Sequence, residues 1–433
     1  MSKRQIASVW IVSTSLFLLA AGPAQATYSI AACEPKTREC GVAVQTNNLA
    51  VGASVPYAQA AVGALVSQFE TNPHYGPRGL ALLAQGISPE EALKQLLAED
   101  GNFDGEGAQA RQVALVSIDG RSAAYTGDEA QRAVWAGVRS GPGFTIQGNG
   151  LVGAKVIDAM EQAFQTTLGT LAERLMAALL AGDLAGGQRT GRESAALLVR
   201  TPDGWPIDID LRVDYSNDPV GELKTLLDMQ LARQKVIQAN ILARKGQVEP
   251  ARSLLIAAVG RASNWPRVWI RAARVAETIE EPLLAVQYLT VAFSQNPLWV
   301  QTEIGNGNYA ELGPSPQFQK WVNPKQRESA IAGYEHWSQA REQSAESRMH
   351  MSRTLLEIGY PDEALAVLNA EPQPADAAVD FLLLRSIAYE AKGDYPAAIE
   401  QCKAALAKAP DQSRIRRRIQ RLEFQQAEIS KQP

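Results

Sequence analysis

The sequence has 433 residues, of which 46% are hydrophobic and 20% charged, with a formal net charge of −4 at neutral pH. This length is enough for two or three domains with their own cores, and the lack of a basic excess argues against nucleic-acid binding. The chain has only three histidines and three cysteines, and none of them has zinc-ligand spacing. We therefore expect no metal or cofactor, and a chemistry of hydroxyl, carboxylate, amide and backbone groups.

Residues 1–26 have the order of regions that is typical of a secretory signal peptide. Lys3 and Arg4 precede an uncharged, mostly apolar segment, and Ala24 and Ala26 take the small-residue positions of an A-x-A cleavage site. The alternative is an uncleaved membrane anchor, but the apolar core of roughly 17 residues is near the lower limit for spanning a bilayer, and no stop-transfer charges follow it. We expect cleavage after Ala26 and an exported protein, periplasmic or secreted, without a membrane span.

A mixed α/β segment follows, from residue 27 to 226. Alternating apolar residues between turn signals predict strands, and apolar periodicity predicts helices. Ser88, Pro89 and Glu91 form a typical helix start. The predicted strands are 27–33, 40–45, 62–67, 111–118, 122–126, 194–200 and 206–213, and the predicted helices are 78–85, 88–98, 151–167 and 171–181. Strand runs alternating with helix pairs favour an α+β layered sandwich over a parallel sheet.

The segment 227–433 is predicted to be all-α and to contain four degenerate repeats of about 34 residues. In its clearest unit, 380–410, an aromatic residue, a turn glycine, small residues and a closing proline have the spacing of a tetratricopeptide repeat. These residues are Tyr389, Gly393, Ala398, Ala405 and Pro410. Turn and small-residue pairs recur at Gly359 and Ala364, at Gly246 and Ala251, and at Glu280 and Ala285. A generic array of helical hairpins is the alternative, and the Gly-, Asn- and Pro-rich insert at 301–325 should be irregular.

The last helical stretch carries five arginines, at 414, 416, 417, 418 and 421, which resemble a nucleic-acid-binding patch. Ile415, Ile419 and Leu422 lie between them at helical spacing. This pattern favours a capping helix with one apolar stripe and a solvated basic face.

Cleavage after Ala26 would make Thr27 the first residue of the mature chain. An N-terminal threonine carries a hydroxyl nucleophile and an α-amine whose reference pKa is about 7.7–8.0. The amine can take the hydroxyl proton directly or through a water molecule, and it thereby replaces a histidine base. Thr27 is therefore a candidate nucleophile.

Several blocks of the chain resemble a known family. The stretch beginning "TYSIAACEPKTRECGVAVQTNN" and the later pieces "FTIQGNGLVG", "GRESAALLV" and "IDLRVDYSNDPVGELKTLL" are similar, in order, to the DUF1028 family. That family's fold is assigned to the N-terminal nucleophile (Ntn) hydrolase superfamily. The resemblance implies a four-layer αββα sandwich with the nucleophile on the first strand. Members without a signal commonly begin Met-Thr, so that methionine removal would expose the equivalent threonine.

Other candidate site residues are selected by their positions at the ends of predicted strands and helices. Arg78 begins a predicted helix, where it could hold an oxyanion, and Asn149 lies where a strand meets a helix and could donate to one. These two join Thr27 as candidate catalytic residues, although both could serve only to cap helices or shape turns. The candidate substrate-binding residues are Asn72, Tyr75, Gln147, Gly148, Arg192 and Ser194.

The first two cysteines, Cys33 and Cys40, close the first predicted hairpin across a six-residue turn. In an oxidising compartment we expect them to form a disulfide, whereas Cys402 is expected to be a buried apolar residue.

Two functions remain open on the sequence. The first is an exported Ntn-type hydrolase that cleaves an amide or related acyl bond of an unidentified small-molecule or peptide substrate. The alternative is a non-catalytic periplasmic binding or scaffold protein that docks a protein partner on its repeats.

Overall fold

The computed structural model describes residues 26–204, 207–339, 344–370 and 378–431. The expected signal peptide, apart from Ala26, lies outside these residues. Residue contacts divide the chain into two compact units between Lys224 and Thr225. No helix in the described ranges has an apolar stretch long enough to span a membrane.

The first unit contains ten strands and five helices among its described residues. The strands are β1 Thr27–Glu34, β2 Glu39–Thr46, β3 Pro56–Gln59, β4 Gly63–Phe69, β5 Arg111–Ser117, β6 Ser122–Thr126, β7 Gly137–Gly141, β8 Phe144–Asn149, β9 Ser194–Arg200 and β10 Ile209–Val213. The helices are α1 Tyr75–Ala84, α2 Pro89–Ala98, α3 Asp128–Gln131, α4 Lys155–Thr166 and α5 Leu171–Leu184. At the start of α2, Ser88 Oγ accepts a hydrogen bond from the Glu91 N–H, which confirms the predicted cap.

The strands form two antiparallel sheets, a six-stranded one in the order β10-β9-β2-β1-β8-β7 and a four-stranded one in the order β3-β4-β5-β6. Val42 and Val44 of the first sheet pack against Val66 and Val116 of the second. Helices α4 and α5 cover the outer face of the larger sheet, and α1 and α2 cover the outer face of the smaller one. The expected four-layer αββα sandwich is confirmed.

Three strands lie outside the predicted ranges: β8, of which only the end at Asn149 was expected, and the edge strands β3 and β7. β3 begins with Pro56, and β7 has a glycine at each end, at Gly137 and Gly141. Each pairs on one side only, so neither carries the apolar alternation of a half-buried strand.

The hairpin of β1 and β2 places Cys33 directly opposite Cys40, with 4.1 Å between their Cα atoms. The two cysteines are joined by a disulfide. Both side chains lie in the core between the two sheets, so the bridge closes the hairpin from the inside.

The second unit is all-helical in its described part. Its helices are α6 Pro219–Arg244, which begins in the first unit, α7 Val248–Arg261, α8 Pro266–Thr278, α9 Pro282–Gln295, α10 Pro297–Glu303, α11 Pro316–Gln319, α12 Pro324–Ser338, α13 Ala345–Glu357, α14 Pro361–Asn369, α15 Ala378–Ala391, α16 Tyr395–Lys408 and α17 Ser413–Ser430. The insert predicted to be irregular contains the end of α10, the short α11 and the start of α12, with loops between them.

The four predicted repeat turns are all left-handed. Gly246, Glu280, Gly359 and Gly393 have φ values of 75°, 61°, 86° and 74°, and each joins two consecutive helices. The small residue five positions later is fully buried in each hairpin, at Ala251, Ala285, Ala364 and Ala398. A buried alanine lets the paired helices approach closely, as the repeat pattern requires.

The expectation of a solvated basic face on α17 is wrong at Arg418, although Arg416 is exposed. Ile415, Ile419 and Leu422 are buried as expected, but the side chain of Arg418 is only 1% exposed. It forms ion pairs with Glu280, Glu311 and Glu390. The acidic partners lie far away in the sequence, so the helical pattern alone does not reveal them.

Candidate active site

Thr27 is the first residue of β1, a central strand of the larger sheet. Its neighbours in register are Thr46 at the end of β2 and Asn149 at the end of β8. Directly opposed residues of antiparallel strands point to the same face of a sheet. The topology therefore brings three polar side chains together at one end of the sheet, where all three are buried.

The backbone nitrogen and the hydroxyl of Thr27 both have side-chain partners. The N–H donates to Asn149 Oδ1 at 3.2 Å, and Oγ1 lies 3.1 Å from Thr46 Oγ1. Thr46 Oγ1 also donates to the carbonyl oxygen of Ala26 at 2.8 Å. Because a hydroxyl has one proton, Thr27 is the donor in the threonine pair while the Ala26 carbonyl is present.

Amide side chains from the facing sheet hold this arrangement. Gln112 Oε1 accepts from Asn149 Nδ2 at 2.9 Å and from Gln68 Nε2 at 2.8 Å, and Gln68 Nε2 also donates to the Thr27 carbonyl at 3.2 Å. Gln112 Nε2 donates in turn to the Gly148 carbonyl at 3.1 Å. These bonds orient Asn149 with its oxygen toward the Thr27 nitrogen. Asn149 is thus an acceptor for the nitrogen, and one of its N–H bonds is committed to Gln112.

The sequence reasoning missed Thr46, Gln68 and Gln112. Gln68 and Gln112 are fully buried, although glutamine is mostly exposed in proteins. Each lies near the end of a strand whose central residues are apolar. A polar amide in such a strand was the signal that could have found them.

A cavity of about 270 Å³ opens beside Thr27, whose own side chain is 4% exposed. Its lining residues are Thr27, Thr46, Asn48, Leu49, Val51, Ser54, Val55, Gln68, Phe69, Glu70, Thr71 and Asp104. The lining contains two carboxylates and no lysine or arginine. Phe69 has φ 65°, a conformation that is strained for a bulky residue. Such strain is concentrated at functional sites.

The structure does not bring Arg78 or Arg192 to Thr27. Arg78 lies on the exposed side of α1, where its guanidinium makes a bidentate pair with Glu99. Arg192 binds the Asp183 carboxylate and the carbonyl of Asn217. Glu99 directly follows α2 and Asp183 lies in α5, so both arginines are paired away from the cavity lining.

Asn72 and Tyr75 do not line the cavity. Both instead donate hydrogen bonds to a buried carboxylate. Asn72 Nδ2 and the Tyr75 hydroxyl donate to Asp100 Oδ2 at 3.2 and 2.6 Å, and Arg111 pairs with the same carboxylate at 3.1 Å. Burial raises the pKa of Asp100, but the hydrogen bonds from these three side chains outweigh it and lower that pKa below its usual value. Arg111 also pairs with Asp104 of the cavity lining, so the cluster supports the cavity wall from behind.

The remaining candidates lie close to Thr27 without lining the cavity. Gln147 Nε2 donates to the backbone carbonyl of Gln112 at 3.3 Å, and the side chain of Gln112 donates to the Gly148 carbonyl. Ser194 Oγ donates to the Asn48 carbonyl at 2.6 Å and accepts from the Val51 N–H at 3.0 Å. Ser194 therefore fixes the loop after β2, which forms one cavity wall.

Comparison with known proteins identifies the family. The model of the "Family of unknown function (DUF1028)" matches residues 27–223. The crystal structure of protein SPO2555 from Silicibacter pomeroyi, described as DUF1028, is 32% identical over 88% of its own chain and 47% of this one, with a TM-score of 0.42. The chain belongs to the DUF1028 family. The match begins at Thr27 and ends one residue before the end of the first unit.

The helical unit lies outside the DUF1028 match. The P58(IPK) TPR domain is 16% identical, with a TM-score of 0.19, over 46% of this chain and 66% of that domain. No curated protein matches the chain.

Proposed function

We propose that this DUF1028 protein is an exported Ntn-type hydrolase that cleaves an amide or related acyl bond. Removal of the signal peptide after Ala26 leaves Thr27 as the first residue. Its hydroxyl is the nucleophile, and its own α-amine is the base. The observation that carries the proposal is that Thr27 lines a cavity, and that its nitrogen and its hydroxyl are each hydrogen-bonded to a buried side chain.

Loss of Ala26 changes the hydrogen bonds around Thr27 in a useful direction. Thr46 Oγ1 no longer has the Ala26 carbonyl as its acceptor, so its proton is free to turn to Thr27 Oγ1. A donor at that position stabilises negative charge on the nucleophile. The new amine keeps Asn149 Oδ1 as an acceptor, which orients its lone pair relative to the hydroxyl.

The reaction then proceeds in two halves. The amine takes the proton from Thr27 Oγ1 while the oxygen attacks the carbonyl carbon of the substrate. The same proton passes to the leaving amine as the carbon–nitrogen bond breaks, and an ester with Thr27 remains. Water attacks this ester with the amine again as base, which releases a carboxylic acid and restores the hydroxyl.

The cavity favours neutral or cationic substrates. Glu70 and Asp104 lie in its lining, which has no lysine or arginine. The lining offers no cation to a strongly anionic substrate, since Arg111 behind the wall is already paired with Asp100 and Asp104.

Variants at Thr27 test the proposal, with a β-lactone as the acyl probe. Attack by a threonine hydroxyl opens the lactone and leaves an ester adduct on the protein. We expect the wild type and Thr27→Ser to be labelled, and Thr27→Ala to remain unlabelled although it is folded and correctly cleaved. Thr71→Ala is the matched control because Thr71 is another threonine of the same cavity. Equal labelling of Thr27→Ala would contradict the proposal, and an unlabelled wild type would favour a binding protein.

A further inference from the structure

A second cavity, independent of Thr27, lies inside the helical unit. It has a volume of about 240 Å³ and is bordered by α8, α13, α15, α17 and the loop before α11. Helices α8, α13 and α15 are each the first helix of a repeat hairpin. The inner surface formed by such helices is where repeat proteins expose a concave binding face.

One wall of this cavity is apolar and the rest is charged. Leu383, Leu384 and Ile387 of α15 form the apolar wall. The charged lining residues are Arg274, Arg353, Arg414, Glu277, Glu311 and Asp380. Three cations and three acids give a balanced lining, which suits a ligand that itself carries both signs of charge.

Three of these six charged residues already have ion-pair partners in the protein. Arg274 pairs with Glu303, and Arg414 donates to Glu280 at 2.9 Å and to Glu311 at 2.6 Å. These pairs are structural, because each joins neighbouring segments of the helical unit. Arg353 and Asp380, in contrast, are exposed at the cavity.

Glu277 is the unusual member of the lining. Its side chain is buried, with 8% exposure, and its Oε1 atom has no hydrogen-bond partner among the described residues. Burial, followed by the neighbouring charges of Glu311 and Glu357, raises the pKa of Glu277 well above its usual value. A buried carboxyl oxygen without a partner is costly, and a ligand that donates a hydrogen bond would remove this cost.

We infer that this cavity binds a free α-amino acid with an apolar side chain. The ammonium group would contact Glu277, the carboxylate would contact Arg353, and the side chain would pack on Leu383, Leu384 and Ile387. A volume of about 240 Å³ holds about eight water molecules at ~30 Å³ each, which is the size of such an amino acid. The binding site is separate from the proposed hydrolase site and does not depend on it.

Calorimetric titration of the full chain with three probes tests this assignment. L-leucine carries both charges, L-leucinamide lacks the carboxylate, and N-acetyl-L-leucine lacks the ammonium and imitates the end of a peptide. We expect L-leucine to bind at least about tenfold more tightly than either analogue, since each analogue loses one charge-assisted hydrogen bond.

Two substitutions test the ammonium contact and the carboxylate contact of the ligand separately. Glu277→Gln should weaken L-leucine and L-leucinamide by about tenfold and leave N-acetyl-L-leucine unchanged. Arg353→Gln, at an exposed position that should not affect folding, should weaken L-leucine and N-acetyl-L-leucine instead. Arg233→Gln, at an exposed arginine outside the cavity lining, is the control.

Three results would overturn the inference. One is the absence of any heat of binding from L-leucine to the folded protein. Another is binding that neither substitution weakens. Tighter binding of N-acetyl-L-leucine than of L-leucine would instead identify the ligand as a peptide carboxyl terminus.

Discussion

Replacement of Arg111 by methionine should destabilise the first unit more than any surface substitution in the same sheet. The Arg111 side chain is fully buried and pairs with Asp100 at 3.1 Å and with Asp104 at 3.2 Å. It also donates to the Glu70 carbonyl at 3.0 Å and to two further backbone carbonyls in the loop that follows α2. Methionine keeps much of the side-chain length and removes the charge and every donor.

The magnitude follows from what the substitution leaves behind. The Asp100 side chain is 5% exposed, so Arg111→Met leaves a buried carboxylate without its cation. Removing one partner of a buried ion pair lowers the free energy of unfolding by about 3–5 kcal/mol. The hydrogen bonds from Asn72 and Tyr75 to Asp100 remain, so the lower half of that range is the expected loss at pH 7.

The pH dependence of this loss has a definite sign. In the wild type the pKa of Asp100 is lowered, so its contribution to stability is present above the unfolded-state pKa and is lost as pH falls through the folded-state pKa. Without Arg111, burial raises the pKa of Asp100 instead, and protonation then stabilises the folded state. The difference between wild type and variant should therefore shrink from pH 7 to pH 5.

Hydrogen exchange can be measured by mass spectrometry over a series of urea concentrations. It then gives the local free energy of unfolding in peptides that cover residues 100–117. Arg121→Gln is the control, since Arg121 is half exposed and pairs with Asp119 at the β5–β6 turn. The control should leave exchange nearly unchanged. Wild-type exchange rates in Arg111→Met would refute this account of the buried cluster.

Three further predictions concern other parts of the molecule. Arg418→Met should lower the stability of the helical unit by about 3–5 kcal/mol in urea unfolding, because it leaves three carboxylates without their central cation, whereas the exposed Arg416→Gln should have little effect. Burial raises the pKa of Glu357 to about 7, so that unit should lose up to about 3 kcal/mol between pH 4.5 and 7. A pH series should find this slope missing in Glu357→Gln, and an unchanged slope would contradict it. Thr46→Val should slow acylation of Thr27 by about tenfold in a labelling time course, since one hydrogen bond to the nucleophile is lost.

Local patterns predicted much of the fold. Strand alternation identified β1, β2, β4, β5, β6 and β9 within two residues of their observed bounds. The turn positions at Gly246, Glu280, Gly359 and Gly393 followed from spacing, because a left-handed turn and a small buried residue are both local requirements of a helical hairpin. The resemblance to DUF1028 supplied the layer order, which no local pattern contains.

The details of the candidate site depended on contacts between distant segments. Thr27 was selected from the expected cleavage site, but Gln68 bonds to it from the opposite sheet, 41 positions away, and Gln112 bonds to Gln68 and Asn149. Arg78 was selected because it begins a helix, and the nearby Glu99 binds it instead. A charged residue pairs with the opposite charge that the tertiary structure places next to it, and a single sequence does not identify that partner.

The most direct test of the central claim is mass spectrometry of the purified mature protein after exposure to the β-lactone probe. One peptide then reports both the first residue of the chain and the position of the ester. The proposal predicts a chain that begins at Thr27 and carries the adduct on that residue's hydroxyl. A mature chain that begins at another residue, or one that begins at Thr27 and acquires no adduct there, would contradict it.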